Sequence, residues 1–167
     1  MVNKKLIDAL KQIARDLSTH KIKWVLVGSL SLALQGVRID PKDIDILTDK
    51  EGALKLNKIW EKYKIKNVEF GETDRFRSYF GKFRIKDIEV EVMGDLEEKL
   101  EGKWFSLAKR LESPKFIDVN GVKVPVSSLE DQLWFYERSD RPKDIQRAQK
   151  IREAMKRKLS SKIESKN

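Results

Sequence analysis

One stretch decides the fold of this chain: Trp24-Val25-Leu26-Val27-Gly28-Ser29-Leu30-Ser31-Leu32-Ala33-Leu34-Gln35-Gly36-Val37-Arg38-Ile39-Asp40-Pro41-Lys42-Asp43-Ile44-Asp45. Its four opening apolar residues are typical of a short strand that is buried on both faces. Gly28-Ser29 interrupts this run, and the apolar residues that follow at i, i+3 and i+4 predict a helix that ends near Gly36. Pro41 then excludes regular helix.

The end of this stretch alternates acidic and apolar residues. Asp43-Ile44-Asp45-Ile46-Leu47 has the pattern of a strand. In a strand, residues two apart point to the same face, so both carboxylates are expected side by side. Two neighbouring carboxylates repel each other, and a divalent cation relieves that repulsion. Hard oxygen ligands on a short strand suit Mg²⁺.

The Gly28-Ser29 turn adds a second chemical element. Glycine between a strand and a helix lets backbone N–H groups approach a ligand closely, and a helix start favours anions such as phosphate. A phosphate-binding turn and a carboxylate metal site are the two parts that phosphoryl and nucleotidyl transfer need together.

These residues resemble the signature of the DNA polymerase beta nucleotidyltransferase superfamily. That signature is hydrophobic-Gly-[Gly/Ser], nine to thirteen residues, then Asp-hydrophobic-[Asp/Glu]-hydrophobic. Here Val27-Gly28-Ser29 is followed, after thirteen residues, by Asp43-Ile44-Asp45-Ile46. The short chain and Gly36-Val37-Arg38 are similar to the minimal nucleotidyltransferases of the prokaryotic branch. The resemblance implies an α/β (α+β) fold, with helices packed on a mixed, mostly antiparallel sheet.

The resemblance also implies a third carboxylate, on a strand beside the Asp43–Asp45 strand. Residues 88–93 place apolar side chains on one face of a predicted strand and Glu89 and Glu91 on the other. Glu91 is the preferred third acid for catalysis and metal binding, with Glu89 as the alternative. Both glutamates are also compatible with the solvent-facing side of an antiparallel strand.

Nucleotide contacts are implied at two places. Backbone N–H groups of Gly28 and Ser29, with the serine hydroxyl, would hold the β and γ phosphates. Arg38 would add positive charge there, although it also fits an ordinary surface arginine.

The second place is Arg141-Pro142-Lys143-Asp144, which is similar to an Arg-x-Lys-Asp segment of several prokaryotic nucleotidyltransferases. The resemblance implies that Lys143 meets the triphosphate and Asp144 orients it. The same residues also fit a helix cap with a solvated charge pair. The lysine that the family often carries on the preceding helix is absent, and Tyr136 or Arg138 stands nearby.

Local patterns predict the remaining elements. The expected helices are 4–18, 51–63, 127–136 with Ser127 as N-cap, and 142–159 with an inner face of Ile145, Ala148, Ile151 and Met155. Lys86-Asp87 and Asn120-Gly121 are expected to close two hairpins. Pro125 favours an edge strand. A short charged helix or turn is expected over 95–100 and irregular chain over 102–114. Trp60 is expected in the core.

Composition bounds the organisation of the chain. Its 167 residues predict a single domain over 1–159, followed by a polar basic tail over 160–167. The net charge of +9 favours polyanionic partners such as nucleic acid or nucleotide phosphates. The absence of cysteine excludes disulfide and thiol chemistry. With no membrane-spanning run and no signal-peptide pattern, a cytoplasmic location is expected.

The sequence thus predicts a nucleotidyltransferase that depends on Mg²⁺ or Mn²⁺. It would move a nucleoside monophosphate, AMP being expected, from an NTP to a hydroxyl acceptor. The resemblance implies an acceptor such as a HEPN-type partner protein, as in toxin–antitoxin pairs, or RNA; small molecules such as aminoglycosides serve other members. The alternatives are a catalytically inactive, antitoxin-like nucleotide- or partner-binding module, and a nucleic-acid-binding module that uses the basic C-terminal helix.

Overall fold

The computed structural model describes residues 2–166. Within them the helices are α1 (Lys4–Thr19), α2 (Gly28–Leu34), α3 (Lys50–Ile59), α4 (Lys109–Glu112), α5 (Leu129–Glu137) and α6 (Pro142–Ser165). The strands are β1 (Trp24–Val27), β2 (Ile44–Thr48), β3 (Lys64–Glu72), β4 (Phe76–Ile85), β5 (Ile88–Leu100), β6 (Lys103–Ser106), β7 (Lys115–Val119) and β8 (Val122–Val126). None of the helices between residues 2 and 166 is long and apolar enough to cross a membrane.

All the strands belong to one sheet, in the order β3-β4-β5-β2-β1-β8-β7, with β6 pairing to the end of β5. The β2–β5 and β1–β8 pairs are parallel, and the other pairs are antiparallel. The expected α/β (α+β) class, with helices on a mixed and mostly antiparallel sheet, is therefore confirmed.

Strict alternation along the central strands divides the sheet into two faces. Ile44 and Ile46 of β2 are fully buried, together with Val90 and Val92 of β5, against the apolar sides of α1 and α3. The large core also contains Trp60, as predicted. Because alternate residues point oppositely, the acidic residues between them are directed to the other face of the sheet.

That other face is only partly covered. A smaller apolar cluster lies there, which includes Val25, Val27 and Leu47 with Phe135 of α5. Helix α6 packs through Ala148, Ile151 and Ala154, and Ile151 and Ala154 share a third cluster with residues of α2 and α5. The helices therefore leave a cleft over the middle of this face.

Both predicted hairpin turns are present. Asn120 and Gly121 have φ of 50° and 87°, and Lys86 and Asp87 have φ of 51° and 66°. Positive φ at both central residues is the type I′ geometry, whose twist matches that of the flanking strands. Gly36, with φ of 92°, ends α2 as expected, since Gly36 N–H and Val37 N–H donate back to Ala33 and Leu32.

Three local expectations were wrong in the second half of the chain. Residues 95–100 continue β5, because β6 pairs with residues 97–100 and supplies partners for their backbone groups. Residues 102–114 accordingly contain β6 and α4. Pro125 does not lie on an edge strand, since β8 stands between β1 and β7. The β1–β8 register contains the single pair Leu26–Val126, so the missing N–H of Pro125 interrupts no ladder with β1.

Two helix starts also differ from expectation. Ser128, not Ser127, caps α5, and its hydroxyl accepts from Asp131 N–H. In α6, Ile145 is exposed and Asp144 takes the buried position. The helix extends to Ser165, beyond its predicted end at 159.

Candidate active site

Three acidic residues meet on the partly covered face of the sheet. Asp45 of β2 is the register partner of Val27 in β1 and of Glu91 in β5. Asp43 precedes β2 by one residue. The parallel β2–β5 pairing therefore brings together two acids that are far apart in sequence.

The electrostatics of this group are unfavourable without a cation. Burial raises the pKa of Asp45 to about 8, and the charges of Asp43 and Glu91 act in the same direction while Arg147 opposes them. A carboxyl group that resists ionisation beside two other acids is the expected result of like charges in a partly dry site.

Gly28 is required by the packing of Asp45. Its φ is +74°, and a Cβ at this position would overlap the Oδ2 atom of Asp45. The N–H of Gly28 donates to Gln132 Oε1 at 3.3 Å. Gln132 is buried and also donates to Ser31 Oγ and to the Ser127 carbonyl. The turn is thus tied to α5, a link that the sequence analysis missed.

A cavity of about 610 Å³ lies over these residues, within the usual size range of small-molecule sites. Among the predicted residues, its wall contains Gly28, Asp43, Asp45, Glu91 and Lys143. The cavity thus unites the two halves of the sequence prediction, the Gly28–Asp45 stretch and the start of α6.

Other predicted residues are not part of this wall. Ser29 is buried in the first turn of α2. Arg38 is exposed outside the cavity because its neighbour Val37 takes the inward position. Glu89 is the register partner of Arg84 in β4 and does not line the cavity.

Asp144 has a positioning role that neither sequence interpretation anticipated. It is fully buried, and it accepts hydrogen bonds from Arg141 Nε and Nη2 at 2.8 and 3.0 Å and from Ser139 Oγ at 2.6 Å. Although burial opposes ionisation, the hydrogen bonds from Arg141 and Ser139 hold the pKa of Asp144 below its ordinary value. A solvated charge pair is therefore wrong; Asp144 fixes Arg141 in the cavity wall.

Arg147 is a site residue that the sequence analysis did not identify. It lies in the cavity wall, one turn after Lys143, and its Nε atom is buried with no hydrogen-bond partner among residues 2–166. Its Nη1 contacts the Tyr136 hydroxyl at 3.4 Å. The i, i+4 spacing of Lys143 and Arg147 on one helix was the signal available in the sequence. An unpartnered guanidinium N–H beside carboxylates is suited to an anionic ligand.

The donor chemistry of the three acids fits a hard divalent cation, since all the oxygens are carboxylate oxygens. The side chains are not already arranged around one point: within residues 2–166, no group of three acidic or histidine side chains forms a ready metal site. Lys82 contributes to this, because its Nζ lies 3.3 Å from Glu89 and 3.6 Å from Glu91. A bound cation would compete with Lys82 for Glu91.

Comparisons with a family model and with solved structures agree with one another. The model of a family described as aminoglycoside-2''-adenylyltransferase matches residues 9–156. The crystal structure of an inferred nucleotidyltransferase from Thermotoga maritima is 35% identical, with 94% of this chain and 96% of that chain aligned and a TM-score of 0.77. No curated protein matches the chain by sequence.

Two more distant structures share the fold. Lincomycin-bound LnuA, a lincosamide antibiotic adenylyltransferase, is 17% identical over 90% of this chain and 97% of its own, with a TM-score of 0.57. ANT(2'')-Ia in complex with adenylyl-2''-tobramycin is 16% identical over 87% of this chain and 86% of its own, with a TM-score of 0.52.

The contact between Gly28 and Asp45 can be tested against a matched glycine. Gly102 has a similar φ of +81°, but a Cβ there would meet no described atom within 4 Å. Gly102→Ala should therefore lower the free energy of unfolding by about 1 kcal/mol through backbone strain alone. Gly28→Ala adds the overlap with Asp45, and a total of about 2–4 kcal/mol is expected. Urea unfolding measures both; equal losses would show that the contact imposes no constraint.

The raised pKa of Asp45 predicts a pH-dependent stability in chelator-treated protein. Because the folded-state pKa of about 8 exceeds the ordinary value of 3.8, the folded state retains a proton that the unfolded state releases between these pH values. Stability is therefore lost as pH rises through this window. Asp45→Asn removes the effect.

The difference in melting temperature between Asp45→Asn and the parent should therefore depend on pH. At pH 8.5 it should favour the variant by at least about 2 °C more than at pH 5. Asp87→Asn, in the exposed β4–β5 turn, is the control and should show no such trend. An advantage of Asp45→Asn that does not depend on pH would contradict the raised pKa.

Proposed function

The chain belongs to the aminoglycoside-2''-adenylyltransferase family, within the polymerase beta-like nucleotidyltransferases, and on this premise we propose that it transfers AMP from ATP to a hydroxyl acceptor. One observation carries the proposal. A single cavity has Asp43, Asp45 and Glu91 on the sheet side and Lys143 and Arg147 on the α6 side. Nucleotidyl transfer requires carboxylates that bind a metal ion and, opposite them, positively charged side chains that bind the phosphates.

Asp43, Asp45 and Glu91 are the proposed ligands of Mg²⁺ or Mn²⁺. Two such ions would stabilise the attacking and leaving oxygens of an in-line displacement. The raised pKa of Asp45 supports this role, since a neighbouring cation would restore the ionised form that binds metal.

The side chains of α6 have a separate proposed role. Lys143 and Arg147 would bind the triphosphate, with Arg141 held ready by Asp144. The acceptor hydroxyl oxygen would then form a bond to the α-phosphorus while the bond to the bridging oxygen breaks and pyrophosphate leaves. Glu91 would take the hydroxyl proton on its carboxylate.

The Gly28–Ser29 turn keeps a proposed role in phosphate binding, but a smaller one than the sequence predicted. Because Gly28 N–H already donates to Gln132, phosphate contact would have to displace that bond or fall to the rest of the turn. Arg38 is exposed outside the cavity, so its proposed contribution is reduced to long-range charge.

The acceptor proposed here is a small hydroxylated molecule. LnuA and ANT(2'')-Ia carry antibiotics, and this chain aligns with 97% and 86% of their lengths. A small-molecule acceptor is therefore compatible with a domain of this size. A cavity of about 610 Å³ supports a small acceptor beside a nucleotide. The HEPN-type partner, the RNA acceptor and the inactive antitoxin-like module stay predictions.

The metal assignment is tested with the double variant Asp43→Asn/Asp45→Asn. The parent should bind ATP with Mg²⁺ in calorimetric titration, and the double variant should lose this binding while remaining folded, because amides bind Mg²⁺ much more weakly than carboxylates. Asp40→Asn/Asp87→Asn removes the same charge from exposed positions and should bind like the parent. Unchanged Mg²⁺-dependent binding in the first variant would refute the assignment.

The third acid is tested by comparing Glu91→Gln with Glu89→Gln, a matched pair because both side chains contact Lys82. Transfer of radiolabelled AMP to tobramycin, lincomycin and a cell extract is followed with Mg²⁺. Glu91→Gln should reduce the rate at least about a hundredfold, as for removal of one stabiliser of the transition state. Glu89→Gln should cost much less. The reverse order would assign the role to Glu89, and small equal effects would favour the inactive module.

A further inference from the structure

Glu98 is a buried residue. Neither the packing of the fold nor the proposed reaction gives its carboxyl group a role. Its residue surface is only 6% exposed, yet it lies in the wall of the cavity. Among residues 2–166, no side chain or backbone group forms a hydrogen bond or ion pair with its carboxyl oxygens. Its carboxyl oxygens are not among the fully buried unpartnered atoms of these residues, so they are open to the cavity and available to a ligand.

Apolar side chains surround this carboxyl group. Glu98 is the register partner of Phe76 in β4 and of Phe105 in β6. Leu96, Leu107 and Phe135 belong to the same apolar cluster as these phenylalanines and, with Phe76, line the cavity. Glu98 thus stands in an apolar recess at one end of the cavity. Glu91 lies seven residues earlier on β5, at most about 23 Å away at the usual strand rise.

The three arginines near the recess already form ion pairs or hydrogen bonds with other residues. Arg141 is bound by Asp144, Arg75 by Asp140 and Ser139, and Arg110 by Asp131. Burial, with the charge of Asp144, raises the pKa of Glu98 to about 7, and the three arginines oppose that shift without reversing it. The recess therefore has positive charge around it, but no donor between residues 2 and 166 is hydrogen-bonded to Glu98.

We propose that Glu98 and the apolar recess form a substrate subsite for a neutral group that donates hydrogen bonds from a planar or apolar part of the molecule. This chemistry has two sources, the exocyclic amino group of a nucleobase and a hydroxyl or amide group of the acceptor. The inference rests on the proposed function, because it assigns the recess to a substrate of that reaction.

The same geometry disfavours a polycationic acceptor at this end of the cavity. Each ammonium group that entered the recess would lose its hydration among leucine and phenylalanine side chains. It would also approach Arg75, Arg110 and Arg141, whose charges act on Glu98. A neutral donor satisfies Glu98 without either cost. A site that contains an unpartnered buried acceptor discriminates strongly against analogues that lack the matching donor.

The test compares Glu98→Leu and Glu98→Gln with the control Glu101→Gln, at an exposed turn position. Melting temperatures are measured first. A structural role would make Glu98→Leu less stable than the parent, whereas a ligand-facing carboxyl group without partners predicts an equal or higher melting temperature. A clear loss of stability in both Glu98 variants would overturn the subsite.

Two arms then separate the sources. In the first, calorimetry with Mg²⁺ compares ATP with the purine riboside triphosphate that lacks the 6-amino group. If the nucleobase occupies the recess, Glu98→Leu should weaken ATP binding about tenfold or more and leave the analogue unchanged. In the second, transfer to lincomycin and tobramycin is followed. If the acceptor occupies the recess, Glu98→Leu should raise the KM of the acceptor about tenfold with ATP binding unchanged.

The outcomes distinguish this inference from the function on which it rests. A parent protein that binds no NTP with Mg²⁺ would overturn both. A parent that binds NTP and transfers AMP, with Glu98→Leu unchanged in both arms, would overturn the subsite alone. A KM for tobramycin that rises in Glu98→Leu while the KM for lincomycin and the affinity for ATP stay unchanged would also overturn it, since the recess would then take the polycation.

Discussion

The close approach of the Asp45 carboxylate to the backbone at Gly28 is the constraint on which the rest of the site depends. It exists because β1 and β2 pair antiparallel, so that the residue before the turn, Val27, lies opposite Asp45. A side chain at position 28 would overlap that carboxylate. The contact therefore fixes the start of α2, the direction of β2 and the position of the acid relative to the turn.

Buried polar contacts are also found in the helices that cover the cleft. Gln132 joins α5 to the Gly28 turn, and Asp144 holds Arg141 at the start of α6. Satisfied polar groups of this kind orient elements more specifically than apolar packing alone. Arg75, in the β3–β4 turn, donates to Ser139 just before α6. Lys143 and Arg147 of α6 line the cleft beside the acids.

The cavity is chemically divided, which bears on how one small domain could serve two substrates. The carboxylates Asp43, Asp45 and Glu91 line the cavity together with Lys143 and Arg147, where a triphosphate with its metal ions would be neutralised. Around Glu98 the wall consists of apolar side chains together with Arg110 and Arg141, which are paired with Asp131 and Asp144. The division arises on one strand, because β5 carries Glu91 near its beginning and Glu98 near its end. Burial alternates along the whole of β5, but Val90 and Val92 belong to the large core whereas Leu96 belongs to the smaller cluster on the other face. The positive φ of Asp95 lies between them, where the buried residues change face.

The sequence by itself determined the local parts of this protein: the strand, turn, helix and acidic strand over 24–47, the two tight hairpins, and hence the fold class. Such features depend on backbone geometry and apolar periodicity over a few residues, which a single chain displays directly. Only the tertiary structure decided that Glu91 rather than Glu89 stands beside Asp45, that Arg147 faces the acids, and that Glu98 is buried without a partner. These positions follow from strand register and helix packing between segments about 45–100 residues apart, where burial of the whole core selects the pairing.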